Sequence, residues 1–212
     1  MIIIMLDAEH DEHHVKCQEP DARVRRENWK MRYPAAETAA KHARIVDKAS
    51  RLFRKRGFSN VSVAEIMKAT GLTHGPFYNH FPSKRGLMVE AIRHATEQAL
   101  KELETAPPSE EGKRAIRLNY LSAAHRDHPE DGCPLAALAS EIGREPAVKS
   151  AVTTFVKTAI AKMSSHFPWK KRRDARGETI RMLTSMVGAL VLARAVDDDD
   201  LSREILEEAA RQ

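Results

Sequence analysis

The sequence predicts an all-α protein, and three observations carry that prediction. Ala, Leu, Glu, Lys and Arg dominate its 212 residues. Apolar residues recur at three- and four-residue spacing over most of the chain. No alternating run of β-branched residues persists outside the first few positions. A hydrophobic fraction of 42% suffices for a packed core, with aromatics sparse at 5%. That length and composition fit one generous domain or two small ones.

Residues 1–35 lack helical periodicity and contain the His-rich run EHDEHH at 9–14. They read as a flexible extension, either a genuine tail or the product of an early start codon. The apolar opening, residues 1–6, is too short to span a bilayer; no basic segment precedes it and an acidic run, Asp7–Glu12, follows. It does not read as a signal peptide. Two cysteines, Cys17 and Cys133, make no disulfide framework, so a cytoplasmic protein without membrane association is expected.

The first helix is predicted over Ala36–Arg56, where Ala43, Val46, Ala49, Leu52 and Phe53 share a face and Gly57 supplies the C-terminal stop. Ser62 caps a second helix, and Glu65 three residues on completes a capping box. Val63, Ile66 and Met67 form its buried face. Gly71 permits a tight turn and Leu72 anchors it. A third helix is predicted over Thr73–His80, with Pro76 in the first turn, where a missing N–H costs little. Ser83 caps a fourth, running to Glu104, and Pro107–Pro108 closes the module. Two short helices around a tight turn, the second rich in hydrogen-bonding side chains, form a helix-turn-helix offered to a DNA major groove.

Further helices are expected at Glu110–His125, Pro134–Gly143, Ala147–His166, Lys171–Val196 and Leu201–Ala210. The helix over 171–196 is apolar across too wide an arc for one core-facing stripe, so a second face is free for another subunit. The division expected is residues 1–35 as the extension, 36–104 as the DNA-binding head including a linker helix at 83–104, and 105–212 as a helical dimerisation body.

Charge supports this division. The chain carries +5 overall, yet residues 31–104 hold 13 basic and 7 acidic residues while 105–212 hold 17 and 16. A basic excess coinciding with the helix-turn-helix is the electrostatic footprint of a partner with a phosphate backbone.

Residues 38–104 resemble the DNA-binding domain of the TetR/AcrR family of transcriptional regulators. Ala49, Phe53, Gly57, Ser62, Ile66, Ala69, Gly71, Leu72, Tyr78, His80, Phe81, Lys84 and Leu87 carry the resemblance, with the spacing from Gly57 through Gly71 to YNHFPSK. DGCPLAALASEI and VGALVLARAVDDDDLSREIL in the second half match more loosely. Arg85 departs from the pattern, since many members carry an acidic residue there. The resemblance implies an Ω-shaped homodimer in which residues 105–212 are the ligand-binding and dimerisation domain and the last two long helices of each subunit form an intersubunit four-helix bundle.

Thr73 and His74, at the start of the recognition helix, are placed to reach base edges. Tyr78, His80 and Lys84 resemble the family's phosphate-contacting positions. Ser62 is either a phosphate contact or a pure N-cap, and Asn79 either reads a base or faces solvent. Phe77 and Phe81 read as core. Leu118, Tyr120, Leu121, Phe155, Met163 and Met186 are candidate walls of an effector cavity, with ordinary core as the alternative, and Leu138, Ile160 and Trp169 are further candidates.

Cys133 precedes Pro134 at a helix N-terminus, where the dipole favours thiolate; it is a candidate redox sensor or a small buried hydrophobe. His125, His128 and Cys133, like His10, His13 and His14, make too thin a ligand set, so neither a metal nor a cofactor is expected. No catalytic signature is present among G-x-S-x-G, P-loop, HExxH or dinucleotide fingerprints, so no enzyme is expected.

The reading is therefore a transcriptional regulator, a repressor in the first instance. Its expected partners are a palindromic double-stranded DNA operator, a small-molecule effector (an electrophile or oxidant among the options) and a second copy bound through 171–196 and 201–210. The alternative is a helical dimer that sequesters a small molecule and binds DNA only non-specifically.

Overall fold

In the computed structural model the described residues are 35–73 and 75–211. The extension up to residue 34, with Cys17 and the histidines at 10, 13 and 14, lies outside them, as does His74. The chain divides into two units, residues 1–38 and 39–212. The described residues contain ten α-helices and a 3-10 turn. The helices are α1 (Ala35–Arg56), α2 (Val63–Ala69), α3 (Phe77–His80), α4 (Lys84–Thr105), α5 (Glu110–Tyr120), α6 (Ala123–Asp127), α7 (Pro134–Ile142), α8 (Pro146–His166), α9 (Ala175–Ala195) and α10 (Asp199–Arg211). None is long and apolar enough to cross a membrane.

Local chemistry sets the boundaries. Gly57 and Gly71 take φ of +84° and +69°, the left-handed conformation that closes a helix and needs no Cβ. The capping box is present: Ser62 Oγ accepts from Glu65 N at 3.2 Å, and the Glu65 carboxylate accepts from Ser62 N at 2.8 Å. Ser83 Oγ likewise accepts from Gly86 N at 3.1 Å.

Three elements depart from expectation. The third helix covers Phe77–His80 rather than Thr73–His80, with Pro76 at its N-cap. Proline disfavours helical backbone in the residue before it, so α3 starts behind Pro76. The helix expected over Glu110–His125 breaks at Leu121–Ser122: Ser122 Oγ accepts from His125 N at 3.2 Å and starts α6 as a fresh cap. His125 Nδ1 then donates to Tyr120 O at 2.7 Å, satisfying a carbonyl that the break leaves open. Finally, residues 172–174 form a 3-10 turn ahead of α9.

The core of the first four helices surrounds the fully buried Phe53, Phe77 and Phe81, with Ile45, Ile66 and Leu87. The same cluster continues into Leu138, Ile142 and Val148 of α7 and α8. The second half has its own core where α9 meets α10, around Leu190, Met186 and Leu206, and Leu121 belongs to it. α4 packs along α8, spanning both halves.

Candidate nucleic-acid interface

A surface that reads DNA needs exposed donors and acceptors held on a rigid support. α2 and α3 are short helices, and what fixes them is the aromatic core beneath. Phe77 and Phe81 are buried, their ring centroids 5.5 Å apart. Thr73 and Asn79 are exposed and Tyr78 is 65% exposed, its ring edge-on to Phe77 at 5.2 Å. These three stand on the outer side of a closed core, as an interface requires.

The other candidates are more committed. The Ser62 hydroxyl donates to Glu65 Oε2 at 2.9 Å besides accepting from Glu65 N, so its capping role is structural. These Ser62 bonds, with a further one from Arg56, hold the Glu65 carboxyl down at about 2. Lys84 Nζ donates to Phe58 O at 2.6 Å, tying the start of α4 to the turn after α1. His80 lies half-buried near His42, centroids 5.9 Å apart. Burial, then the His42 and Lys41 charges, keep its pKa below the ordinary value. His42 stacks on Phe81 at 4.5 Å and bonds Glu90 at 2.6 Å, which fixes α1 against α4.

A cavity of about 1150 Å³ lies in the second unit. Of the candidate wall residues, Tyr120, Phe155, Met163, Met186 and Ile160 line it, and Cys133 stands in the same wall. Leu118 and Leu121 do not. Ile116 and Tyr120 face inward on α5, and Leu118, two residues from each, falls on the opposite side and is 45% exposed. Leu121 is buried against α9 and α10 instead. Leu138 belongs to the first core, and Trp169 packs beside Met163 and donates its Nε1–H to Met163 O at 3.1 Å.

Sequence reasoning missed the polar end of this cavity. Arg51, Arg54, His125, His128, Asp131 and Gly132 belong to its wall. Arg51 pairs with Asp131 and Lys55 Nζ with Glu130 at 2.8 Å, while Arg54 Nη1 donates to Gly132 O at 2.6 Å. The α6–α7 loop is thus a strap across the C-terminal half of α1. Glu141 of α7 adds a fastening by accepting from Phe58 N at 2.8 Å. A signal existed in two places: Lys41, Arg44, Lys48, Arg51 and Lys55 recur at three- and four-residue steps, and DHPEDG supplies acids at 127–132. Nothing local says that they meet.

His125 joins the strap to the body. Its Nε2 accepts from Cys133 N at 2.9 Å while Nδ1 donates to Tyr120 O, an arrangement that requires the neutral ring. Burial lowers its pKa, and Arg194 and Arg54 lower it further against the opposing Tyr120 carbonyl. Both nitrogens are therefore taken, and among the described residues no group of three or more His, Cys, Asp or Glu could hold a metal.

A sequence profile for the bacterial regulatory proteins of the tetR family matches residues 45–91, the span from α1 to α4. An HTH-type transcriptional regulator of Bacillus subtilis, YerO, is 30% identical over 97 residues, 42% of this chain and 33% of its own. The match thus spans only a third of that relative's length. The HTH-type transcriptional regulator AcrR of Shigella flexneri is 45% identical over 60 residues, 28% of this chain and 27% of that one. Among solved structures, reduced NemR of Escherichia coli superposes with a TM-score of 0.67 at 19% identity, over 81% of this chain and 94% of that one. A TetR transcriptional regulator from Chloroflexus aurantiacus gives 0.68 at 21% identity, over 83% and 95%. These two show a common fold across head and body.

Proposed function

The chain belongs to the TetR family of DNA-binding transcriptional regulators, and on that premise we propose that it is a homodimeric repressor released from a palindromic operator by a small molecule. The supporting observation is the double membership of α4. Leu87, Met88, Ala91 and Ile92 lie in the core beneath the helix-turn-helix, while Ala95 and Gln98–Leu103 line the cavity. A ligand that favours one setting of α4 also changes where the head stands. It releases DNA by population shift if it binds better to the setting that misplaces the two heads.

Thr73, His74 and Asn79 are proposed to read bases. Tyr78 and His80 are proposed to hold phosphate, with Lys84 and Ser62 supporting the backbone contacts around them. Exposed apolar positions on α9 and α10 support the dimer: Ile180, Val191, Leu192 and Leu201 are 39–57% exposed. Thr184, Gly188, Val191 and Ala195 recur on one exposed face of α9, where a Cβ at Gly188 would meet nothing within 4 Å and Thr184 and Gly188 also border the cavity.

Footprinting on DNA upstream of its own gene tests the reading. Protection of a palindrome with half-sites about one helical turn apart is expected. Uniform, salt-sensitive binding with no protected site overturns it in favour of the sequestering alternative. Within the repressor reading, Cys133 in the cavity wall would meet an electrophile that enters. Release by an alkylating agent that persists unchanged in Cys133→Ser rejects that route.

A further inference from the structure

A buried cation normally stands against an anion, because stripping water from an unpaired charge costs several kcal/mol. Arg54 breaks that expectation. It is 6% exposed, in the last turn of α1, and its side chain donates to two backbone carbonyls: Nε to Ser50 O at 3.2 Å and Nη1 to Gly132 O at 2.6 Å. Asp131, the acid that most offsets the effect of burial on Arg54, gives both its oxygens to Arg51. Among the described residues no carboxylate hydrogen-bonds Arg54. Burial accordingly pulls its pKa down, against the opposing pull of Asp131.

This guanidinium is in the wall of the cavity, where Asp131 and Asp47 offset part of its charge from a distance and neither bonds to it. So is the start of α7, whose N-cap Cys133 makes no side-chain cap bond and leaves the first-turn N–H groups after Pro134 without an acceptor from it. Away from this corner Phe155, Ile160, Met163, Leu183 and Met186 supply apolar wall, with Lys101, Glu102 and Thr184 among the polar positions that border it. One end therefore asks for a negative oxygen and the other for hydrocarbon. We propose that the cavity takes an amphiphilic monocarboxylate, its apolar body among those five side chains and its carboxylate on Arg54.

The position of Arg54 also gives the ligand a means of action. Its carboxylate competes with Gly132 O for Nη1, and a charge-assisted bond to a carboxylate is about twice as strong as one to a neutral carbonyl. Losing Gly132 loosens the strap from α1, the helix that packs against the recognition elements. This rests on the reading that the cavity houses the effector, and adds a route through α1 to the one through α4.

The test uses the full chain without DNA. Calorimetric titration compares decanoate and 2-naphthoate with 1-decanol and 2-naphthol, which keep the apolar body and lose the carboxylate. The carboxylates are expected to bind at least about tenfold tighter. In Arg54→Met that margin should vanish while the alcohols bind as before. Alcohols that match the carboxylates in the unaltered protein overturn the proposal, whatever becomes of the variant, and so does failure of all four to bind. A margin that survives in a folded Arg54→Met protein also overturns it. Operator footprinting, run separately, keeps the two readings apart. A protein that protects a palindrome and yields to another class of molecule retains the regulator function and loses the carboxylate site. One that binds decanoate and protects nothing does the reverse.

Discussion

At the residue scale, His125 shows how one side chain comes to hold two segments. Its neutral ring accepts from Cys133 N and donates to Tyr120 O, and a Cβ at Gly132 would collide with it. Protonation removes the acceptor at Nε2 and sets a cation near Arg54 and Arg194, the latter already bonded to the His125 carbonyl. Because the folded pKa lies below the ordinary 6.5, the ring's contribution to stability is complete above that pH and is lost as pH falls through the folded value. His80 is depressed too and acts with the same sign, so the wild-type curve sums both. Denaturant unfolding of wild type and His125→Gln across pH 7.5 to about 5 separates them. The wild type should lose more stability than the variant over that range, and parallel curves would deny His125 the role. The exposed Glu65 carboxyl, held at about 2, is common to both proteins and cancels in the comparison.

Elements are closed by particular atoms, and two glycines show that closing a helix and docking it are different demands. Gly57 and Gly71 both adopt positive φ, where a side chain costs about 1–2 kcal/mol. Around Gly71 a Cβ would find open space, whereas at Gly57 it would run into the Glu141 carboxylate that caps the Phe58 and Ser59 amides. Gly71→Ala should therefore cost the conformational term alone, and Gly57→Ala that term plus part of the Glu141 contact. Urea midpoints for the two variants give the comparison, with Gly57→Ala the more destabilised by about 1 kcal/mol or more. The left-handed turns and the capping box were legible because they depend on residues within a few positions of each other. The break at Ser122 was not: the apolar pattern runs straight through it, and the competing cap is decided by where His125 has to go.

For the whole molecule, the question is which apolar surface belongs inside one chain and which between two. The width of the apolar arc on α9 announced two faces, and one is buried in the chain while the other is left exposed. Met186, Ala189, Leu190 and Ala193 are buried within the chain, while Val191 and Leu192 stand exposed. If the exposed face is the dimer contact, Leu192→Glu places a charge where water must leave. Sedimentation should then show a monomer–dimer equilibrium weakened by at least about tenfold, with operator affinity falling alongside. A variant that sediments as the wild type moves the interface elsewhere.

The sequence by itself determined the helical class, the helix-turn-helix with its aromatic core and caps, the stops at Gly57 and Gly71, and the match of residues 45–91 to the tetR family profile. Each of these rests on neighbours in the chain, through helical period, capping chemistry or motif spacing. Tertiary structure decided what depends on pairing distant segments. It set Leu118 facing outward and Leu121 into the core, joined the head core to α7, and brought the acids of residues 130–131 onto the basic face of α1. It also left Arg54 buried beside a cavity and bonded to two backbone carbonyls in place of a carboxylate. A charge's partner lies wherever the fold carries the chain, some eighty residues away for Arg51 and Asp131, and no local pattern encodes that meeting.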